Sequence, residues 1–180
     1  VEAEAPTGCP PVTVHGRGGF EGREVTVDAG LSSQYVSALL MLAACGAHPV
    51  QVALRGDAIG ARGYIDLTVA AMRRFGATVE AEGGSAWVVR PGGYRATELH
   101  VEPDASAATY LWAAEALTGG AIELGVAAAE FTQPDAAAYP LIRDFRAMPP
   151  VIDGSQMQDA VAAAAALDAD ILCEQFIAGD

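Results

Sequence analysis

Apolar and polar residues recur along this chain with two different periods, and its elements change where one period gives way to the other. A period of two, rich in β-branched residues and closing near Gly or Pro, predicts strands at PVTVHG (residues 11–16), REVTVDAG (23–30), PVQVALRG (49–56), ATVEAEG (77–83), SAWVVRPG (85–92), ELHVEPD (98–104) and GAIELGV (120–126). Between them the apolar positions fall at helical spacing. Val36, Leu39, Leu40 and Ala43 form one such face, and Ile65, Thr68, Val69 and Met72 a second. A third is Ala107, Tyr110, Leu111, Ala114 and Leu117, followed by Ala138, Leu141, Ile142 and Phe145, then Met157, Ala160, Val161 and Ala164. Strands alternating with helices predict an α/β architecture.

One plan recurs where strand passes into helix. VDAGLSSQYVSALLMLA and VEPDASAATYLWAAEAL both run from a strand end through an acidic turn and small hydroxyl residues into an apolar helix, with Val27 matching Val101 and Ser32 matching Ser106. VIDGSQMQDAVAAAAAL (residues 151–167) echoes it again. Gln133-Pro134-Asp135 has the composition of a hinge, with Asp135 expected to cap the helix after it. RAMPPV (146–151) interrupts before a very Ala-rich helix, and the last fourteen residues read as an amphipathic fragment.

The length, 180 residues, suits one large domain or two small ones, and 52% hydrophobic content argues against disorder, although much of it is Ala. No apolar run reaches the roughly 18–20 residues that span a membrane. The first ten residues are acidic and proline-rich rather than a signal peptide, which predicts a cytoplasmic protein. Cys9, Cys45 and Cys173 are too scattered for a disulfide framework and read as thiols in a reducing compartment. His15, His48 and His100 have no Cys or His at ligand spacing, so no metal site is expected. A net charge of −13 makes nucleic acid an unsuitable partner, because a phosphate backbone needs a basic surface. All ten basic residues are Arg, and the chain begins without Met in VEAEAP, which reads as the middle of a longer protein.

Candidate chemistry gathers at the joints. Ser32, Ser33 and Gln34 stand together where a helix starts, and the N–H groups and dipole there, with two added hydroxyls, can hold a phosphate without Lys. An N-cap beside a solvated Ser explains the same residues. HGRGG (15–19) lacks the spacing of a phosphate loop and reads as a turn. GDAIGARGY (56–64) puts Tyr64 in a first turn with Arg62 nearby, facing the same cleft as Ser33 if the two helices are neighbours, or simply packing. In IDGSQMQDAV, Asp153, Ser155 and Asp159 cluster at another helix start, as caps or as a carboxylate able to take a proton.

SSQYVSALLM, then GYIDLTVAAMRRFGATVE, EPDASAATYLWAAEAL and DGSQMQDAVAAAAAL together resemble the 5-enolpyruvylshikimate-3-phosphate synthase family, continuously from about Pro11 to Gly120 and again near Asp159. The resemblance implies an enolpyruvyl transferase fold of two lobes, each built from repeated βαβαββ units. It implies transfer of the enolpyruvyl group of phosphoenolpyruvate to the 5-hydroxyl of shikimate 3-phosphate, with release of phosphate, no cofactor and no required metal. It also implies that Ser32 and Ser33 hold the shikimate phosphate, Gln34 contacts both substrates, Tyr64 lines the shikimate site and Asp159 accepts the proton of the attacking hydroxyl. On this pattern residues 1–132 supply most of two units of one lobe, 133–135 cross between lobes, and 136–180 begin the second lobe of a monomer. Ala61 stands where the family usually has a third phosphate-binding Ser, and Gln158 where it has Pro. Those departures keep open an acceptor such as a nucleotide, or a domain that kept the fold without the chemistry. The family's Lys motifs are missing and the span from Asp135 to Asp159 is short, so the chain is expected to be part of an enzyme and inactive alone.

Overall fold

The computed structural model describes residues 1–16, 19–28, 30, 32–56, 60–149, 151–157, 160, 161, 163, 167 and 172–174. Its elements are β1 (Glu2–Ala3), β2 (Val12–Thr13), β3 (Glu24–Asp28), α1 (Ser33–Ala43), β4 (Val50–Arg55), α2 (Arg62–Arg74), β5 (Thr78–Glu82), β6 (Ala86–Arg90), α3 (Ala105–Thr118), α4 (Tyr139–Arg143), β7 (Val151–Asp153) and β8 (Leu172–Glu174). The α/β expectation holds. From β3 to β6 the order is βαβαββ, and the four strands form one sheet in the order β3-β4-β6-β5. Strands β3 and β4 are parallel, while β6 pairs antiparallel with both β4 and β5.

Alternation along the strands decides which face of this sheet stays dry. Val50, Val52 and Leu54 of β4, with Trp87 and Val89 of β6, turn toward the helices. There they meet Val36, Leu40 and Ala43 of α1 and Ile65, Val69 and Met72 of α2 in one core. On the other face Gln51 donates to Glu82 at 2.7 Å, and Arg90 pairs with Glu80 through two hydrogen bonds. That pairing holds Glu80 below the usual carboxylate range. Helix α2 ends where Gly76 takes φ 85°, with Gly76 N–H donating to Arg73 O and Ala77 N–H to Met72 O. A Cβ at Gly76 would also press on the Arg95 side chain. The left-handed turn aims the chain back into β5.

A second core lies around α3, where Trp112 packs edge-on against Phe131 (centroids 5.5 Å apart) and Tyr139 (4.9 Å). Ala138, Ile142, Ala160 and Ala163 complete it. Here the predicted face of α3 is wrong: Tyr110, Leu111 and Leu117 are exposed, and Ala105, Ala108, Thr109, Trp112 and Ala113 are buried. The helix is apolar all round, so spacing singles out no face and the largest ring settles it.

The strands predicted at 98–104 and 120–126 do not form: among the described residues neither segment has a neighbour to pair with, and Leu99, Val101 and Ile122 stay exposed. The strand expected at 11–16 shrinks to the two residues of β2, which pair with β1 outside the main sheet. The helix expected after Asp135 is broken into a 3-10 turn at Pro134–Ala138, the short α4, and a second 3-10 turn at Phe145–Ala147. Pro140 has no N–H to continue the first turn into a regular helix. Strand β7 lies where VIDGSQMQDAV echoes the strand-to-helix plan, and it pairs in parallel with β8, which falls in the tail that read as an amphipathic fragment.

Candidate functional site

Parallel pairing brings the carboxyl ends of β3 and β4 together, with Asp28 opposite Arg55. Helices α1 and α2 both start just beyond that edge, where open α/β sheets present their ligand crevices. Farther along, the Ser37 and Thr68 hydroxyls lie 2.8 Å apart, joining the two helices within about two turns of their starts. Ser33 and Tyr64 therefore begin neighbouring helices, as the shared-cleft reading requires.

Ser32 is the N-cap of α1, its Oγ accepting from Gln34 N–H at 3.2 Å. Capping occupies a lone pair and leaves the hydroxyl proton able to serve as a donor, so cap and phosphate ligand are compatible roles for one Ser. Ser33 is half-buried in the first turn, and Gln34 is exposed beside it. The echo at Ser106 is shifted. Asp104 caps α3 by accepting from Ala107 N–H at 3.2 Å, and Ser106 lies inside the first turn.

Helix α2 starts differently. Ala61 takes the left-handed conformation, φ 55°, without a side-chain cap, and its N–H donates to Ser155 O at 2.9 Å. Arg62 is no loose phosphate ligand: it pairs with Asp66 at 3.0 Å, donates to Gly84 O and lies 4.8 Å over the Trp87 ring.

Tyr64 donates its hydroxyl proton to Asp135 Oδ2 at 2.5 Å, and Ser106 donates to the same oxygen at 2.5 Å. Asp135 is therefore not the expected cap. Gln133 occupies the cap position with no side-chain bond to the turn, and the Asp135 carboxylate, fully buried, turns inward to the starts of α2 and α3. Gln133 seals α3 instead, its Oε1 accepting from Ala105 N–H at 2.9 Å while its Nε2 donates to Glu102 and Pro103 O. Burial disfavours the charged Glu102, but hydrogen bonds from Thr132 and Gln133 outweigh it and hold that carboxyl below the usual range.

Pro134 packs so closely on α2 that a Cβ at Gly63 would lie 2.7 Å from its Cγ. Replacing Gly63 by Ala is expected to lower stability by about 1–2 kcal/mol, the overpacking strain outweighing the gain in helix propensity. A thermal unfolding midpoint at or above that of the parent would contradict this packing. Beside the junction a groove of about 410 Å3 is lined by Asp66, Leu67, Thr132, Pro134 and Gln156 among others.

In the third constellation Asp153 Oδ1 accepts from Ser155 N–H at 2.9 Å, and the Ser155 bonds hold Asp153 below the usual carboxylate range. Asp159 and Gln158 lie outside the described residues, as do Arg17 and Gly18 of the Gly-rich stretch. Cys9 and Cys45 are exposed and unpaired, and among the described residues no Cys, His, Asp or Glu cluster could hold a metal. No helix among the described residues is long and apolar enough to cross a membrane.

The family model of EPSP synthase (3-phosphoshikimate 1-carboxyvinyltransferase) matches residues 1–168. The chain belongs to the EPSP synthase family. The 3-phosphoshikimate 1-carboxyvinyltransferase of Pseudomonas syringae pv. syringae (strain B728a) is 64% identical over 169 residues, covering 94% of this chain and 40% of that protein. The one from Rhizobium leguminosarum bv. trifolii (strain WSM2304) is 60% identical over the same shares. That of Edwardsiella ictaluri (strain 93-146) is 41% identical over 119 residues, 65% of this chain and 27% of its own length. The chain thus spans about 40% of the length of the more similar family members. Because 94% of 180 residues is itself 169, the match leaves no room for a longer segment between Asp135 and Asp159. The short span is shared with these EPSP synthases and is no sign of missing chain.

Proposed function

We propose that the protein to which this chain belongs transfers the enolpyruvyl group of phosphoenolpyruvate to the 5-hydroxyl of shikimate 3-phosphate. The new bond joins the shikimate oxygen to the enolpyruvyl carbon, and the bond from that carbon to the phosphate oxygen breaks, releasing inorganic phosphate. The observation that carries this reading is 64% identity across 94% of the chain to a protein named for that reaction.

Local structure supports the division of labour. Ser32 and Ser33, at the N-terminus of α1, hold the shikimate phosphate through hydroxyl donors, backbone N–H groups and the helix dipole. Gln34 reaches both substrates from the same turn. Tyr64, at the start of the neighbouring helix, lines the shikimate ring, and Asp159 accepts the proton of the attacking hydroxyl. The βαβαββ run from β3 to β6 serves as one of several repeated units in a two-lobed, cytoplasmic monomer that needs no cofactor. Cations absent from a chain without Lys come from the rest of the protein, and they neutralise the two phosphorylated substrates.

Phosphate release by the full-length gene product tests the reading. Release is expected only with shikimate 3-phosphate and phosphoenolpyruvate together, and none from the 180-residue chain by itself. A full-length protein inactive with that pair, yet active with another phosphorylated alcohol, would move it to a different acceptor.

A further inference from the structure

We infer that Asp135 is a positioning residue for the acceptor site, holding the Tyr64 hydroxyl and tying the start of α2 to the start of α3. The inference rests on the proposed function, since it takes Tyr64 to line the shikimate site. Tyr64 and Asp135 are far apart in sequence, yet the phenol donates to Asp135 Oδ2 at 2.5 Å, and Ser106, in the first turn of α3, donates to the same atom at 2.5 Å. The carboxylate is fully buried, and among the described residues its second oxygen, Oδ1, has no hydrogen-bond partner.

A carboxylate taken out of water opposes folding unless its hydrogen bonds offset the cost, and here the two bonds from Tyr64 and Ser106 run to two helix starts. Packing alone does not call for a charge here, because Gly63 against Pro134 and the Gln133 bonds to Ala105 and Glu102 already dock this turn onto both helices. What the carboxylate adds is direction. It fixes the torsion of the Tyr64 hydroxyl and the tilt of its ring, and it sets the spacing between two helix starts.

The experiment is a double-mutant cycle in the full-length protein, read by titration with shikimate 3-phosphate and by steady-state kinetics. Asp135→Ala is expected to weaken shikimate 3-phosphate binding about tenfold, the scale of losing a hydrogen bond to a charged acceptor. The loss should appear in KM for shikimate 3-phosphate, with KM for phosphoenolpyruvate and kcat changed less than threefold. In a Tyr64→Phe background the same change should cost no more than about twofold, because the hydroxyl it holds is gone. Asp135→Asn, whose amide oxygen can accept both hydroxyls, should restore binding to within about threefold of the parent. That variant also keeps the test open if the alanine form does not fold. Equal losses in the parent and Tyr64→Phe backgrounds, or an Asn form as weak as the Ala form, would overturn the inference and leave the functional reading standing. A parent protein that binds shikimate 3-phosphate not at all would overturn the functional reading, and this inference with it.

Discussion

Turnover of the full-length protein is expected to fall about 10²–10⁴-fold when Asp159 is replaced by Ala, with affinity for shikimate 3-phosphate staying within a few fold. The 5-hydroxyl is a poor nucleophile while it keeps its proton, and the gain from a positioned carboxylate comes as that proton leaves in the transition state. An interaction made there and absent from the ground state shows in kcat, leaving binding nearly untouched. Steady-state kinetics paired with calorimetric titration separates the two. Unchanged turnover would place the proton acceptor elsewhere. A parallel loss of binding and turnover would make Asp159 a substrate ligand.

The second large effect concerns Ser32, whose two roles one substitution can split. Asp is as good an N-cap as Ser, so Ser32→Asp should keep α1 capped and leave the unfolding midpoint within about a degree or two. It also sets a negative charge where the shikimate phosphate is proposed to sit, and binding should weaken by more than about 100-fold. Ser32→Ala combined with Ser33→Ala inverts the pattern. Stability should drop by about 1 kcal/mol for the lost cap, and binding by about 10²-fold for two lost donors to a charged group. If the Ser32→Asp protein bound shikimate 3-phosphate as well as its parent, Ser32 would be a cap and nothing more.

The central sheet was legible in the sequence because β3 to β6 carry their own instructions: alternating Val, Trp and Leu, bounded by Gly and Pro. Residues 98–104 and 120–126 carry similar instructions and stay unpaired, since a strand exists only with a neighbour and local pattern does not say whether one is within reach. Ser32 was readable for the opposite reason. A cap acts on the next two residues, and the sequence contains the whole of it. Asp135 was misread because Gln-Pro-Asp before a helix has the local appearance of a cap, whereas its carboxylate answers to Tyr64 and Ser106, distant in sequence. Pattern located the residues at the starts of α1 and α2. It gave no sign of the buried carboxylate behind Tyr64.

Helix α3 has two apolar sides, and among the described residues only one of them is covered. Trp112 is packed away, while Tyr110, Leu111 and Leu117 meet water along the opposite side. A net charge of −13 keeps molecules apart at long range, but across a greasy stripe at close range, in salt, it counts for little. The outer side of α3 is therefore a place where copies of the 180-residue chain can touch at close range despite their shared charge.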